Sequence, residues 1–336
     1  MSLPRTPDGL SYVEAGVNIE AYNRMLQRAR AAIEATHGPE VATGVGGFAG
    51  LYRLPGGSFL AASADGVGTK IKVAIAAQCH RGIGIDLVNH CVNDIATAGA
   101  RPLFLLDYFA GGRLEEDVFA EVVSGLTEAC RAAGCALLGG ETAEMPGLYG
   151  LGDYDLAGFV IGVVEPADLP NAETVAPGDI LMALPSSGLH TNGFSLVRKV
   201  FEDVSLDHVF PALGRPLGEV LLVPHRSYLR EMAALRGEWK VAAHVTGGGL
   251  LENVPRCLPE NLAARFDRST WRVPAIFQLI AERGRVDLDE MFGTFNMGIG
   301  MVLVMSPEAA ARAEGEGLVR VGDVGVRRGP QRVILS

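Results

Sequence analysis

Cysteine is scarce in this sequence and follows no pairing pattern. The chain has five cysteines in 336 residues, an odd number, and no two of them form a Cys-x-x-Cys pair. A disulfide framework or a zinc ribbon needs cysteines paired at short spacings. The sequence therefore argues against both classes and predicts reduced cysteines that lie mostly in the core, at Cys79, Cys91, Cys130, Cys135 and Cys257.

The sequence also lacks a basic excess and long apolar runs. It has 29 Lys and Arg against 39 Asp and Glu, which gives a formal net charge of −10. This charge offers no overall attraction to nucleic acid or to an acidic membrane surface. No apolar run approaches the length of a bilayer span, and residues 1–5 do not resemble a signal segment. We therefore expect a cytoplasmic protein without nucleic-acid or membrane partners.

The stretch with the most candidate ligand-binding groups is residues 64–70, where a carboxylate, two glycines and an ammonium follow an apolar run. The run predicts a buried strand that ends near Asp65, and ligands commonly bind at that end of a strand in layered sheets. Glycines let backbone N–H groups approach an anion, so the stretch suits a magnesium–polyphosphate pair. An ordinary glycine-rich turn with a solvated lysine fits equally well. The candidate nucleotide contacts are Asp65, Gly66, Gly68, Thr69 and Lys70.

Two further acids extend this hypothesis. Asp94 lies on a helix predicted over residues 85–98, and Glu141 follows glycines at the end of a predicted strand. If Asp65, Asp94 and Glu141 meet at one edge of one sheet, their mutual repulsion would be relieved by a divalent cation. Asp86, His90 and Asp94 are spaced four apart and form an alternative metal stripe, although a lone histidine on such a face is more often solvated.

A glycine loop at residues 43–50 almost matches the dinucleotide-binding fingerprint. No strand precedes it and a strand-like segment follows it, so its context argues against a Rossmann site. It is either a lid over a nucleotide, with Gly46 and Gly47 as candidate contacts, or a plain connector.

The second half of the chain presents two more polar loops. Residues 186–193 carry small hydroxyls, a histidine and an amide at a predicted helix start, which suits an anion or a carbonyl group. No Gly-x-Ser-x-Gly elbow accompanies them, so a serine hydrolase is disfavoured. Residues 244–249 place a glycine run between a strand and a helix, a geometry that can hold a phosphate. A helix cap with an exposed histidine is the alternative interpretation of the first loop.

A proline-rich segment at residues 165–178 predicts a boundary between domains 1–168 and 169–336. Two halves with glycine loops at strand ends suggest an enzyme that binds ATP and Mg²⁺ in the first domain. The second domain would then hold a small phosphorylated substrate, and phosphoryl transfer needs charge neutralisation more than a protein nucleophile. A nucleotide-binding regulatory module without catalysis is the competing hypothesis.

Six motifs in fixed order resemble the phosphoribosylformylglycinamidine cyclo-ligase family, also called aminoimidazole ribonucleotide synthetases. They lie at residues 65–70, 84–88 with 92–94, 139–147, 186–193, 244–249 and 295–301. The resemblance implies ATP-dependent cyclisation of formylglycinamidine ribonucleotide to aminoimidazole ribonucleotide, with release of ADP and phosphate. It also implies an α+β fold of two domains and a homodimer whose first domains share a β-barrel.

The resemblance also implies roles for individual residues. Asp65, Asp94 and Glu141 would hold Mg²⁺ on ATP, and Lys70 would lie along the phosphates. His190 and His244 would act on the substrate side as polar or proton-transfer groups. The implied catalytic residues are Asp94, His190, His244 and Lys70, and the candidate substrate contacts are Ser187, Thr191, Asn192, Gly247, Gly248 and Gly249.

Two other enzyme families with the same fold are the alternative interpretations of these motifs. The glutamine-dependent formylglycinamidine ribonucleotide synthetase would need extra length or partner subunits. A selenophosphate synthetase-like enzyme would carry a reactive Cys near its N-terminus, whereas the first cysteine here is Cys79. The chain also departs from the family in its first helix, where Arg28 or Arg30 matches an expected lysine and Asn18 stands where an acid is common.

Overall fold

The computed structural model describes residues 9–314 and 317–336. The start of the chain at residues 1–5, interpreted above as lacking a signal segment, lies outside the described residues. None of the helices in the described residues has the length and apolar character needed to cross a membrane. All five cysteines are unpaired, and two of them, Cys91 and Cys130, are buried.

The first half of the chain forms a five-stranded sheet with two of its helices packed on one face. The strand order is β1-β2-β5-β3-β4, with β3 and β4 parallel and the other neighbours antiparallel. The elements are α1 Ile19–Glu34, β1 Gly50–Arg53, β2 Phe59–Gly66, α2 Lys70–Ala77, α3 Arg81–Ala96, β3 Arg101–Gly111, α4 Glu116–Ala133, β4 Ala136–Glu144 and β5 Tyr154–Val164.

One face of this sheet packs on α3 and α4, while the other face has no covering layer within the described residues. The core contains Leu105, Leu156 and Val160, which point from their strands toward the helices. On the opposite face, Phe159 is 44% exposed and Leu138 is 63% exposed. Side chains alternate across a strand, so the sheet has one buried face and one apolar face that is open to solvent.

The second half forms a six-stranded sheet in the order β11-β8-β10-β6-β9-β7. Both faces are covered, because separate clusters of apolar side chains pack on its two sides. The elements are β6 Ile180–Pro185, α5 Phe194–Val200, α6 Leu217–Leu221, α7 Leu229–Ala234, β7 Trp239–His244, α8 Gly249–Asn253, β8 Leu262–Phe266, α9 Ala275–Gly284, α10 Leu288–Thr294, β9 Ile299–Met305, α11 Pro307–Ala313, β10 Val319–Val326 and β11 Val333–Leu335.

The polar side of α3 joins the two halves. The side-chain amides of Asn89 and Asn93 donate to the backbone oxygens of His225 and Arg226, at 2.6 and 2.8 Å. The backbone N–H of His225 in turn donates to Asp86 at 2.7 Å. The face that the sequence predicts to project away from the core is therefore buried by the segment around residue 225 of the second half.

The α+β class predicted from the sequence is confirmed, and most elements lie where their patterns indicate. Asn18 caps α1 by accepting from the N–H of Ala21, and Ser306 caps α11 in the same way. Two predictions are wrong. Strand β4 extends through Glu144, so Glu141 lies inside the strand rather than beyond its end. Lys70 begins a helix rather than ending a phosphate-binding loop.

Candidate active site

Asp65 and Asp94 come together between the two halves of the chain. Asp65 is the penultimate residue of β2, as predicted, and Asp94 lies on the last turn of α3. Asp94 accepts hydrogen bonds from the hydroxyl of Ser63 at 3.0 Å and from Nδ1 of His244 at 2.8 Å. Burial raises the pKa of Asp65 to about 6, an effect that His90 opposes and the nearby Asp94 carboxylate increases. Burial also raises the pKa of Asp94.

Glu141 does not join this pair, so the predicted convergence of three acids is wrong within one chain. Asp65 lies in register with Gly158, Asp107 and Gly140, whereas Glu141 lies one position further along, opposite Tyr108. One position along a strand places a side chain on the other face of the sheet. Strands β2 and β4 are also three places apart, which is roughly 14 Å. Glu141 is therefore on the open face, away from α3.

Lys70 is not the flexible, accessible cation that the sequence predicts. Its side chain is fully buried, and Nζ lies 2.9 and 2.8 Å from the two carboxylate oxygens of Asp86. A third contact joins Nζ to the backbone oxygen of Val223 at 2.8 Å. The ammonium thus ties α2 to α3 and to the second half, and it is not accessible to a phosphate in this conformation.

Gly66, Gly68 and Thr69 are at the surface, whereas Val67 between them is buried in the core. Gly66 ends β2, and Gly68 has a φ of 71° with open space where a side chain would be. The hydroxyl of Thr69 contacts that of Ser195 at 3.1 Å. These residues are exposed beside Asp65, so their contact with a nucleotide stays a prediction.

Four buried histidines occupy the junction of the two halves: His90, His190, His225 and His244. Nε2 of His225 lies 3.0 Å from Nε2 of His244, and the rings of His190 and His225 stack at 3.9 Å. Burial lowers the pKa of His244 to about 3 and holds the pKa values of His190 and His225 well below the ordinary value. These three imidazoles are therefore neutral near pH 7.

His225 belongs to no motif in the sequence, and the position of His90 on its helix predicts a solvated side chain. Thr191 lies between them, with its hydroxyl 3.0 Å from Nδ1 of His90 and 3.4 Å from Nδ1 of His225. His225 stands in a loop without a motif, so only its residue type could have marked it. His90 is 5% exposed rather than solvated, because the second half covers that side of α3.

The predicted substrate loops lie next to this histidine cluster. The hydroxyl of Ser187 donates to the backbone oxygen of Pro224 at 2.7 Å, and its backbone N–H donates to Nε2 of His190 at 3.2 Å. The Asn192 amide oxygen lies 3.2 Å from where a Cβ on Gly247 would be. Gly247 is exposed, while Gly248 and Gly249 are buried, so Gly247 is the accessible member of the predicted phosphate loop.

Arg256, which lies outside every motif of the sequence, holds the glycine loop at residues 43–50 in place. Its Nε and Nη2 donate to the backbone oxygens of Gly46 and Gly47 at 3.0 and 2.6 Å, and its guanidinium lies 3.9 Å from the ring centroid of Phe48. Nη1 also donates to Asn253 at 3.1 Å. The loop is thus held against the second half, and Gly46 and Gly47 face solvent.

Comparisons with known proteins agree over more than nine-tenths of the chain. The family models described as AIR synthase related protein, N-terminal and C-terminal domains, match residues 46–164 and 176–334. A phosphoribosylformylglycinamidine cyclo-ligase of Myxococcus xanthus (strain DK1622) is 53% identical over 314 residues, which cover 91% of each chain. A protein of the same name from Caldanaerobacter subterraneus subsp. tengcongensis is 46% identical over 322 residues, covering 94% of this chain and 95% of the relative.

A solved structure supports the fold. The crystal structure of tt0281 from Thermus thermophilus gives a TM-score of 0.66 and covers 93% of this chain and 95% of its own. The two chains are 23% identical, so this likeness speaks for the fold alone.

Proposed function

We propose that this chain, which belongs to the phosphoribosylformylglycinamidine cyclo-ligase family, closes the imidazole ring of formylglycinamidine ribonucleotide with ATP. The products are aminoimidazole ribonucleotide, ADP and phosphate. The chain is a ligase of purine biosynthesis, because its relatives of that name match it along 91% to 95% of their length. Both family domains are present.

The chemistry explains why ATP is required. An amide oxygen is a poor leaving group, so ATP first phosphorylates it to give an imidate phosphate. A nitrogen of the same substrate then attacks that carbon, the C–N bond forms, and phosphate leaves. Because nucleophile and electrophile belong to one molecule, holding the substrate in a folded conformation supplies much of the rate of the second step. Charge neutralisation around the transferred phosphoryl group supports the first.

The contact between Asp94 and His244 is the observation that supports a reaction site at the junction of the two halves. It joins the acids of the first half to the histidines and glycine loop of the second half, at 2.8 Å. The predicted nucleotide side and the predicted substrate side therefore share one buried junction, as a direct transfer between two substrates needs.

The nucleotide side of the proposal uses Asp65 and Asp94 as ligands of Mg²⁺. Carboxylate oxygens are the donors that Mg²⁺ prefers, and the two acids are adjacent and partly accessible through Asp65. When bound, Mg²⁺ would offset the charge of the phosphates. The exposed backbone at Gly46, Gly47, Gly66, Gly68 and Thr69 would line the nucleotide.

The substrate side of the proposal uses the second half. Gly247 and the side chains of Ser187, Thr191 and Asn192 surround the histidine cluster and would orient the ribonucleotide. Between the two histidines that the sequence predicts to act there, His244 is the better proton-transfer group, because its contact with Asp94 fixes which ring nitrogen carries the proton. His190 would then position the loop that begins at Ser187.

The proposal includes a homodimer formed by the first domain, residues 1–168, with residues 169–336 as the second domain. The open apolar face of the first sheet is the surface that a shared barrel would bury. Glu141 lies on this face, so a second copy would place it in the interface rather than beside Asp65 of its own chain. The enzyme would act in the cytoplasm, where ATP is available.

The direct test follows product formation. The purified protein is mixed with ATP, Mg²⁺ and formylglycinamidine ribonucleotide, and aminoimidazole and ADP are measured together. We expect one ADP per aminoimidazole formed, and Asp94→Asn should lower kcat/KM by at least about a hundredfold, since it removes a charge from the proposed metal site.

The exposed Asp207→Asn is the matched control, because it makes the same chemical change away from the junction. ADP release that does not depend on the ribonucleotide would rule out the proposed reaction.

A further inference from the structure

Two imidazoles, those of His90 and His244, lie beside Asp65 and Asp94 at the junction. The site therefore offers nitrogen donors as well as oxygen donors, whereas Mg²⁺ prefers oxygen donors alone. The ligand atoms of His90, Asp94 and His244 all lie within 4.8 Å of one another. Asp65 lies at the edge of this group, with its Oδ2 3.5 Å from Nε2 of His90. Donors bound to one ion at about 2.1 Å can lie up to about 4.2 Å apart, so shifts of about half an ångström would let the three donors meet one cation.

Both imidazoles are held by partners on their far nitrogens. Nδ1 of His90 contacts the hydroxyl of Thr191 at 3.0 Å, which leaves Nε2 facing Asp65. Nε2 of His244 lies 3.0 Å from Nε2 of His225, and in the tautomer that donates from Nε2 to His225 the Nδ1 beside Asp94 can bind an ion. Metal-binding histidines in proteins are typically fixed in this way, because a hydrogen bond on one ring nitrogen sets the orientation of the other.

A second group of three histidines fits a metal less well. The donor atoms of His190, His225 and His244 also lie within 4.8 Å of one another. However, the rings of His190 and His225 are stacked, so their nitrogens do not point at a common centre. Nε2 of His190 already accepts from Ser187, and no carboxylate in this group would offset the charge of a buried ion.

We propose that, in the protein free of nucleotide and ribonucleotide, His90, Asp94 and His244, with Asp65 at the entrance, bind a first-row transition metal ion such as Zn²⁺ or Mn²⁺ in preference to Mg²⁺. Two imidazole nitrogens are donors that Zn²⁺ favours and Mg²⁺ does not, while two carboxylates neutralise the ion. The side chain of Asp65 is 28% exposed and gives the ion a path from solvent. This inference concerns the same junction as the proposed reaction, but it is tested without ATP or ribonucleotide.

Calorimetric titration of the full chain, first treated with chelator, measures the preference with Zn²⁺ and Mg²⁺ as probes. We expect one Zn²⁺ per chain and a Kd at least about tenfold below that for Mg²⁺. The variant His90→Gln should raise the Kd for Zn²⁺ by about tenfold or more and leave Mg²⁺ binding within about twofold. Co²⁺ bound by nitrogen and oxygen donors absorbs visible light, so its spectrum should weaken in the same variant.

The exposed His208→Gln is the matched control and should change neither titration. Equal Kd values for Zn²⁺ and Mg²⁺, or equal Zn²⁺ binding by the two variants, would overturn the inference. Loss of Zn²⁺ binding in His190→Gln but not in His90→Gln would do the same, because the ion would then lie in the other group. If His90→Gln does not fold, Thr191→Val provides the test through the partner of Nδ1, with the same direction expected.

The metal preference and the proposed reaction can be disproved independently of each other. An active cyclo-ligase that binds Zn²⁺ no tighter than Mg²⁺ would overturn this inference alone. A protein that prefers Zn²⁺ but releases no ADP with the ribonucleotide would overturn the proposed reaction alone.

Discussion

At the scale of single residues, Lys70 shows how a side chain in a motif that suggests ligand binding can instead stabilise the folded structure. Its ammonium is fully buried and contacts both oxygens of Asp86, which is itself buried. Removing one partner of a buried ion pair leaves an uncompensated charge and is strongly destabilising, even where the intact pair adds little. Burial opposes the charged form of each partner, lowering the pKa of Lys70 and raising the pKa of Asp86 to about 6.

We therefore predict that Lys70→Met lowers the free energy of unfolding by about 3–5 kcal/mol. Urea unfolding followed by circular dichroism measures the change. Lys72→Met is the matched control on the same helix, because Lys72 pairs with Asp153 while 43% of its side chain is exposed. Such pairs contribute about 0–1 kcal/mol, so the control should unfold nearly as the parent does. Equal losses in the two variants would contradict the structural role of Lys70.

The histidines show what a sequence can and cannot reveal about individual residues. The strand-loop-helix contexts of His190 and His244 marked both as candidates, and the structure places both at the junction. His90 and His225 become part of the same cluster only because the segment around residue 225 packs on α3. A contact between residues more than 130 positions apart has no local signature in the sequence.

At the scale of elements, strand β4 explains why the three acids were expected to converge. Apolar residues followed by glycines and an acid resemble a strand that ends in a loop, but β4 continues through those glycines because it pairs with β3. Gly140 lacks a side chain for a steric reason, since a Cβ there would clash with the backbone oxygen of Asp107. Inside a strand, the facing direction of Glu141 is fixed by alternation, which puts it on the open face.

The glycine loops at residues 43–50 and 244–249 are connected through the side chains of Asn253 and Arg256. Asn253 donates from its amide to the backbone oxygens of Gly247 and Gly249 at 3.1 and 2.8 Å. Arg256 donates to Asn253 and to the backbone oxygens of Gly46 and Gly47. The predicted phosphate loop and the glycine loop near the nucleotide side are therefore held by neighbouring residues on one helical turn.

Arg256→Lys should release the glycine loop while keeping the charge. A lysine cannot reproduce the forked contacts to two carbonyls, and each hydrogen bond to a charged group contributes about 1.5–3 kcal/mol. We expect amide hydrogen exchange across residues 46–48 to accelerate by at least about tenfold, as measured by mass spectrometry.

The control for this prediction is Arg332→Lys, because Arg332 makes the same kind of contact with the backbone oxygens of Leu258 and Pro259. It should leave exchange at residues 46–48 unchanged. Protection of the loop in Arg256→Lys would show that Phe48 and the backbone hold it without the guanidinium.

At the scale of the whole molecule, the open face of the first sheet is an apolar surface that none of the described residues covers. Along β5, every second residue from Tyr154 to Val164 is buried, while the alternate apolar residues, including Phe159, are exposed or half-buried. Helix α1 has no buried residue, and its Tyr22 and Met25 are 59% and 65% exposed. Several exposed apolar side chains on one face of a sheet are typical of an interaction site.

A second copy of the chain is the occupant that the family resemblance predicts for this face, and Phe159 at its centre provides the test. Light scattering after size-exclusion chromatography should give about twice the chain mass of 35.4 kDa. Phe159→Glu should shift the protein to a monomer, because a buried, unpaired carboxylate in the interface costs several kcal/mol. Val326→Glu is the matched control, since Val326 is 60% exposed on a strand of the second sheet. A parent protein that elutes as a monomer, or a dimer that survives Phe159→Glu, would show that this face does not join two copies.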